Sequence, residues 1–496
     1  MKLVSSAAQM RSLDKAVAVT LGLPSIVLME LASKAVADVI RLHHDDHARA
    51  GVVVACGPGN NGGDGYGVAR WLAAWGYPVR TISVRTASGG DAGVMREVCE
   101  RVGVLDVKEI GSCGLIVDAI LGTGVTRKLR DPVRSLVAEI EAHPAPVVSI
   151  DLPSGLHADT GQPMGAWVRA VRTVTFGRLK PALLLEPGAD LAGEVHLADI
   201  GLEAAVDTKL QAIGEVLDAS DLADLWPTRR RAARKRSSGH LLVVAGSLAM
   251  AGAAVLACRG ALSAGVGLVT LLTPQGALVR LANLPSEVMV EVSGAGDVMT
   301  EAPVVDISRF DGMLAGPGLG GGHALEDGIR GWLRHLWELD GRPMLYDADA
   351  LAAATGGAAG PRVITPHAGE AARLLECAAT AVQRNRVAAA SKLANLGVSV
   401  LKGPNTIVSA RRRRLNFNQT GNAILATAGS GDVLAGLIAG LMVRGIGAWD
   451  AARLGVWVHG QAADCLATER VDGWTASDVA DAIPAAVAHL RLARRP

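Results

Sequence analysis

The chain has 496 residues, 50% hydrophobic and 20% charged, which suits several globular domains of roughly 150 residues and excludes a disordered chain. Lys and Arg (49) cancel Asp and Glu (48) to a net +1, and aromatics reach only 3%, so neither bulk charge nor ring content points to nucleic acid or an anionic membrane. The six cysteines are scattered and form no C-x-x-C pair, which argues against a zinc module or a disulfide scaffold and suits the reducing cytoplasm.

The opening MKLVSSAAQMRSLDKAV lacks the apolar core of a signal peptide. Apolar runs then alternate with helical patterns. The first half offers strands at Val52–Cys56, Val79–Val84, Leu115–Ala119, Val147–Ile150 and Thr173–Phe176. The second offers Leu241–Ala245, Leu268–Leu272, Met313–Ala315, Met344–Tyr346, Arg362–Ile364 and Val398–Leu401. Runs without polar alternation are strands buried on both faces, so the expected fold class is α/β with parallel sheets covered by helices. Leu241 to Cys258 is uncharged and as long as a membrane span, but Gly246, Ser247 and Gly252 break it into strand, turn and helix. A polar, charged stretch after VHLADIGL divides the chain into expected domains 1–213 and 214–496.

The first strand runs into Gly57-Pro58-Gly59-Asn60-Asn61-Gly62-Gly63-Asp64-Gly65, with a helical pattern following from Tyr66 to Trp75. This contains G-x-G-x-x-G between strand and helix, a loop that lets backbone N–H groups approach phosphate. The acid that usually follows on the second strand of a dinucleotide fold is missing, and Asn60, Asn61 and Asp64 make the loop unusually polar. Two further strands end in Asp118, before AILGTG, and in Asp151, before LPSG. Either aspartate alone could cap the next helix. Together these strand ends place polar oxygens along the carboxyl edge of a parallel sheet, where ligands bind.

In order, SSAAQMRSLDK, IVLMELASKAVAD, GPGNNGGDGYGVARWL, DAILGTG, IDLPSGLHADTGQ and TVTFGRLKPALLLEPG resemble the NAD(P)H-hydrate epimerase family over almost all of residues 1–202. That resemblance implies a Rossmann-like α/β/α sandwich that interconverts the R and S forms of hydrated NADH and NADPH. It implies that Asn60, Asn61, Gly62, Gly63 and Asp64, with Gly122, Thr123, Gly124, Val125, Thr126, Arg127 and Lys128, contact the dinucleotide. Asp151 would lie at the reacting ring as acid/base, and Asn61, Asp118 and Ser154 would help hold K⁺. The family's LMENAG reads Leu28-Met29-Glu30-Leu31-Ala32-Ser33 here, with Leu31 in place of Asn.

In the second half, a Gly429-Ser430-Gly431 turn opens a helix running to about Val443, and its unpaired N–H groups form an anion hole with Asp432 at the mouth. Asp432 could instead be a simple cap. Other strands lead into Gly316-Pro317-Gly318-Leu319-Gly320, Tyr346-Asp347-Ala348-Asp349, Thr365-Pro366-His367 and Lys402-Gly403-Pro404-Asn405-Thr406. His367 reads either as a buried cap or as a ligand contact. No Walker A sequence is present.

GHLLVVAGSLAMAGAAVLACRGALSAGVGLVTLLTP, AGPGLG, YDADAL, ITPHAGEAARLL, VLKGPNTIV and TGNAILATAGSGDVLAGLIAGL resemble the ribokinase-like superfamily, in its ADP/ATP-dependent NAD(P)H-hydrate dehydratase branch, over residues 239–443. The resemblance assigns Ala253, Gly318, His367 and Asp432 to the hydrated dinucleotide. It assigns Lys402, Gly403, Pro404, Asn405, Thr406 and Gly431 to ADP or ATP, with Mg²⁺ on the phosphates. Met250 stands where the branch often has tyrosine. The reading is therefore an epimerase fused to a dehydratase, acting on small molecules as a cytoplasmic homo-oligomer with no nucleic-acid or membrane partner. Its rivals are a small-molecule kinase with an accessory domain, and a first half that binds dinucleotide without catalysis. The basic runs Arg229–Arg236 and Arg411–Arg414 lack interleaved aromatics and read as solvated surface, with a phosphate or oligomer contact as the second choice.

Overall fold

The computed structural model describes residues 1–85, 89–202, 212–229, 231–232 and 234–494, so that residues 230 and 233 of the first basic run lie outside the described residues. The chain divides into two compact units, Lys2–Gly214 and Glu215–Pro496.

In the first unit the paired strands are β1 Val52–Cys56, β2 Val79–Ser83, β3 Leu105–Val107, β4 Leu115–Ala119, β5 Val147–Ile150, β6 Arg172–Phe176 and β7 Glu194–Ala198. They lie in the order β3-β2-β1-β4-β5-β6-β7, parallel throughout. This is the doubly wound Rossmann order, and it reverses between β1 and β4, so their carboxyl ends open a crevice. The central strands β1, β4 and β5 are buried along their whole length, as their unbroken Val/Ile runs require. The edge strand β3 carries no such signal: Leu105 and Asp106 are exposed, so no apolar run marks it.

The structure corrects one boundary. The helix after β1 spans Asn60–Ala74, so the Asn-Asn-Gly-Gly-Asp segment forms its first turns instead of a loop before Tyr66. Helix propensity disfavours the glycines there. Packing decides otherwise: a Cβ on Gly62 would stand 1.8 Å from the Gly57 carbonyl oxygen, and one on Gly65 would stand 2.4 Å from the Ala119 Cβ.

In the second unit the strands include β8 His240–Val244, β9 Leu268–Thr273, β10 Val288–Val292, β11 Gly312–Ala315, β12 Met344–Tyr346, β13 Arg362–Ile364, β14 Val398–Leu401, β15 Ile407–Ser409 and β16 Leu415–Phe417. They lie in the order β16-β15-β14-β13-β12-β11-β8-β9-β10. β8 to β14 pair in parallel, while β15 and β16 add antiparallel as a hairpin. Arg411–Arg414 form the turn of that hairpin, with Arg412 at φ 59° and Arg411 to Arg413 exposed, as solvated surface. The order reverses between β8 and β11, and there the Gly246 N–H donates to the Pro317 carbonyl at 2.8 Å.

The stretch Leu241–Cys258 resolves into β8, a turn and the helix Ala251–Ser263. No helix among the described residues is long and apolar enough to cross a membrane. Ala251–Ser263 packs on the apolar helix Ser430–Val443 through small residues. A Cβ on Gly260 would stand 2.1 Å from the Val433 carbonyl oxygen, and one on Gly436 would stand 2.0 Å from that of Ala257. Gly436→Ala should therefore force the helices apart and destabilise this unit by about 1–3 kcal/mol. Chemical denaturation of variant and wild type measures this, and an unchanged midpoint would contradict it.

Candidate active sites

The first site forms at the reversal between β1 and β4. Asp118, the penultimate residue of β4, is fully buried. Its carboxylate accepts from Ser149 Oγ at 2.9 Å, Ser154 N at 2.8 Å, Ser154 Oγ at 2.6 Å and Ile120 N at 3.3 Å. Burial pushes its pKa up, against these hydrogen bonds. Asp118 thus ties the β4 and β5 turns together, and Ser154 Oγ also accepts from Leu121 N at 2.9 Å.

Asp151 follows β5 in the left-handed region at φ 66°, a conformation costly for a residue with a Cβ. It caps no helix. Its Oδ1 accepts from Lys180 Nζ at 2.7 Å and Thr175 Oγ1 at 3.1 Å. Lys180 is 1% exposed and also donates to Thr175 Oγ1 and the Phe176 carbonyl. With Oδ1 held this way, Oδ2 has no protein donor among the described residues. A Cβ on Gly122 would stand 3.0 Å from Asp151 Oδ2 and 3.3 Å from Asn61 Oδ1, so residue 122 must stay small for these groups to converge.

Asn61 is buried, and its Nδ2 has no partner among the described residues. Asp64 sits one turn on, its pKa pushed well up by burial and by Asp151 and Asp14. The segment Gly122–Lys128 is an irregular loop in which Val125 is buried and Thr126, Arg127 and Lys128 are exposed. Asn61, Gly122 and Asp151 therefore come together, whereas Thr126 to Lys128 are exposed and make no hydrogen bond with them among the described residues. Leu31 is 44% exposed on the helix Ser25–His43.

The second site forms where β11 to β14 end at the N-terminus of the helix Ser430–Val443. Lys402, just after β14, donates to Asp347 Oδ1 at 2.7 Å and lies 3.9 Å from Glu370 Oε2. Burial alone would pull the lysine's pKa down, but Asp347 and Glu370 outweigh it and raise it. A Cβ on Gly431 would stand 3.3 Å from Lys402 Nζ, so the ammonium lies at the helix N-terminus. Asp432, in the first turn, caps nothing with its side chain. Burial pushes its pKa up to about 7, helped by Asp347 and opposed by Lys402. Beneath the turn, buried His459 meets Ser430 Oγ at 3.3 Å, and burial drives its pKa down to about 4, leaving it neutral.

His367 is a cap, but an exposed one. Its Nδ1 accepts from Gly369 N at 3.0 Å and Glu370 N at 3.2 Å, while the side chain is 58% exposed, not buried. This leaves Nε2 for other contacts, with Glu370 Oε1 at 3.4 Å. Gly318 and Ala253 are neighbours, since a Cβ on Gly318 would stand 3.2 Å from the Ala253 Cβ and 2.7 Å from the Met250 carbonyl oxygen. In the turn Lys402–Thr406, Gly403 takes φ 141° and Asn405 φ 56°. Buried Arg386 braces this turn from below, donating to the Leu401 carbonyl at 3.1 Å. Asp464 fixes the neighbouring turn by accepting from Gly421 N at 2.9 Å and Asn422 Nδ2 at 3.0 Å. Lys180, Thr175, Arg386 and Asp464 carry no motif signal of their own; Lys180 stands inside TVTFGRLKP, but its pairing is visible only in three dimensions.

These features define a two-site α/β enzyme, with one carboxylate on a buried lysine and another above a helix N-terminus. Residues 25–182 match the family described as YjeF-related protein N-terminus, and residues 241–485 match NAD(P)H-hydrate dehydratase. The chain is 36% identical over 509 residues to the bifunctional NAD(P)H-hydrate repair enzyme Nnr of Moorella thermoacetica, covering 97% of this chain and 95% of that one. It is 37% identical over 473 residues to Nnr of Escherichia coli, covering 92% and 88%. Among solved structures it is similar to the ADP/ATP-dependent NAD(P)H-hydrate dehydratase of Bacillus subtilis co-crystallised with ATP/Mg²⁺, at 26% identity and TM-score 0.48, over 55% of this chain and 97% of that one. The chain belongs to the bifunctional NAD(P)H-hydrate repair enzymes, which join an isomerase to a lyase.

If Asp432 must be ionised to act, kcat/KM of the lyase should fall below pH 7, along an acid limb centred near the value of about 7. Asp347→Asn removes a repelling charge and frees Lys402, so the limb should move to lower pH. A pH–rate series on both proteins checks the direction; a limb that does not move would contradict it.

Proposed function

We propose that Asp432 is the general base of the lyase reaction and Asp151 the acid/base of the epimerisation. The observation that carries the first role is the convergence of Asp432, Lys402 and Gly431 at one helix N-terminus. Asp432 accepts the proton of the C6 hydroxyl of the hydrated nicotinamide ring. That oxygen attacks the terminal phosphoryl group of ADP or ATP, releasing AMP or ADP. Lys402 and the N–H groups of Ser430 and Gly431 stabilise charge on the transferred group. The C6–O bond then breaks as phosphate leaves and C5 loses a proton, restoring the conjugated ring of NAD(P)H. Lys402–Thr406 cradle the nucleotide, while Ala253, Gly318 and His367 contact the hydrated dinucleotide. Mg²⁺ would neutralise the nucleotide phosphates, with Asp347, Asp349 and Glu370 the nearby carboxylates.

In the first site Lys180 and Thr175 hold Oδ1 of Asp151, so Oδ2 is the atom that exchanges protons with the substrate. Asn60–Asp64 and Gly122–Lys128 flank the dinucleotide. Asn61, Asp118 and Ser154 suit K⁺ because they offer amide, carboxylate and hydroxyl oxygens; the Asn61 Nδ2, which has no protein partner among the described residues, is a donor and is left for an acceptor on the substrate. The cation would organise the β4 and β5 turns and contribute positive charge beside the ring. The six free cysteines fit a cytoplasmic setting.

The test follows absorbance at 340 nm with mixed R and S NADH hydrate, Mg²⁺, K⁺ and ADP or ATP. Wild type should convert both epimers. Asp432→Asn should lose about 10²–10⁴-fold in rate. Asp151→Asn should consume the S form and accumulate R. A stable phosphorylated product would instead select the kinase reading, and an Asp151→Asn protein that epimerises normally would remove that residue's role. Replacing K⁺ by tetramethylammonium should slow epimerisation alone, and Ser154→Ala should need about tenfold more K⁺ for half-maximal rate; equal rates in both salts would reject the cation site.

A further inference from the structure

The basic run that begins at Arg229 is not absorbed by either site. Its first arginine borders a cleft of about 550 Å³ within the second unit, shared with Arg444, Arg491, Trp226, Pro484 and Val487. The volume lies in the range of small-molecule sites. The cleft lies at the far end of the helix Ser430–Val443 from Asp432, since Arg444 directly follows that helix. At about 1.5 Å per residue, this helix of 14 residues spans about 20 Å.

Three positive charges meet here without compensation. A Cβ on Gly265 would stand 3.1 Å from Arg444 Nη1 and 3.7 Å from Arg229 Nη2, so both guanidinium groups reach one point. Arg444 donates to the carbonyls of Ala264 at 2.5 Å and Pro227 at 3.0 Å, and Arg229 donates to that of Gly265 at 2.8 Å. These bonds fix the two side chains and leave most of their five N–H groups available. Arg491 makes no such bond among the described residues. None of the described lining residues is acidic. Two carboxylates on neighbouring elements are already taken, Asp224 by Arg494 at 3.3 Å and Asp481 by Arg259 at 2.6 Å. Burial pulls the Arg444 pKa down, and the charges of Arg229 and Arg491 pull it further, as expected of like charges held together. Arg453, held elsewhere in this unit, shows the contrast: it pairs with the Glu215 carboxylate at 3.0 Å.

Bonds to backbone carbonyls account for Arg229 and Arg444 singly. They do not account for a third arginine, nor for an open cleft between them with one apolar wall. Guanidinium forks match phosphate oxygens, and exposed Pro484, with the edges of the buried Trp226 and Val487, makes one side of the cleft apolar. We propose that this cleft is a second ligand site that binds a diphosphate group, carried by a nucleotide or as free pyrophosphate, and is separate from the site around Asp432.

The test is calorimetric titration of the full-length protein with pyrophosphate and with ADP, at low salt, on wild type, Arg491→Glu and Arg229→Glu. The Arg491 side chain makes no hydrogen bond among the described residues, so its substitution leaves the fold intact, and a melting curve verifies that. Wild type should bind one more equivalent than Arg491→Glu, or bind it at least about tenfold more tightly, with the excess weakening as salt rises. Excess binding of pyrophosphate alone would identify the free diphosphate as the ligand, and excess binding of ADP would identify a nucleotide. Equal stoichiometry and affinity in wild type and both variants would overturn the proposal. Because binding is read directly, this result does not depend on whether Asp432 or Asp151 act as proposed above.

Discussion

Each site in this protein is organised around a lysine–aspartate pair withdrawn from water. In the first unit Lys180 lies beneath Asp151; in the second Lys402 spans from Asp347 to the N-terminus of the Ser430–Val443 helix. Burying two charges is costly, and an apolar pair of similar shape would often be as stable. Such a pair therefore serves something other than stability alone. In the first unit it orients one carboxylate so that one oxygen stays open. In the second it keeps a cation fixed at a helix N-terminus whose own acid, Asp432, is held near neutrality by burial and by the same Asp347. The two carboxylates have different surroundings, as the two different roles proposed for them require.

The sheets explain how distant residues reach these pairs. In both units the strand order reverses once, and the polar groups sit on the turns after the carboxyl ends of the strands on one side of that reversal, together with the reversal turn itself in the first unit. Glycines at Gly57, Gly62 and Gly65 in one unit, and at Gly260 and Gly436 in the other, let backbones approach within distances that any side chain would prevent. The position of the acid-bearing helix in the second unit follows from this close packing as much as from its own sequence.

Much of this is legible in the sequence. Strands such as Val52–Cys56, Leu115–Ala119 and Val398–Leu401 declare themselves because both faces are buried, and short apolar runs rich in β-branched residues suit the centre of a parallel sheet better than any amphipathic element. The turns with Asp118, Asp151 and Asp432 are readable because polar residues follow each run abruptly. What is not readable depends on pairing across the fold. The edge strand Leu105–Val107 has two exposed residues, and the helix start at Asn60 contradicts propensity because Gly62 and Gly65 pack on backbone and on Ala119. Lys180 and Asp151 are 29 residues apart, and Lys402 and Asp347 are 55 apart, so no local pattern joins them. His367 shows a different limit: a capping role is visible in its place after a strand, but its exposure depends on what the rest of the fold leaves uncovered.

The backbone at Asp151 has a consequence for how this chain can change. At φ 66° glycine is the residue that relieves the strain, and asparagine and aspartate tolerate it better than most. Heat tolerance and chemistry therefore favour different residues at one position. A lineage under pressure only for robustness would drift there toward glycine, shedding the carboxylate while keeping the fold. If Asp151 acts as proposed, a carboxylate retained at that site would mark continuing selection for the reaction.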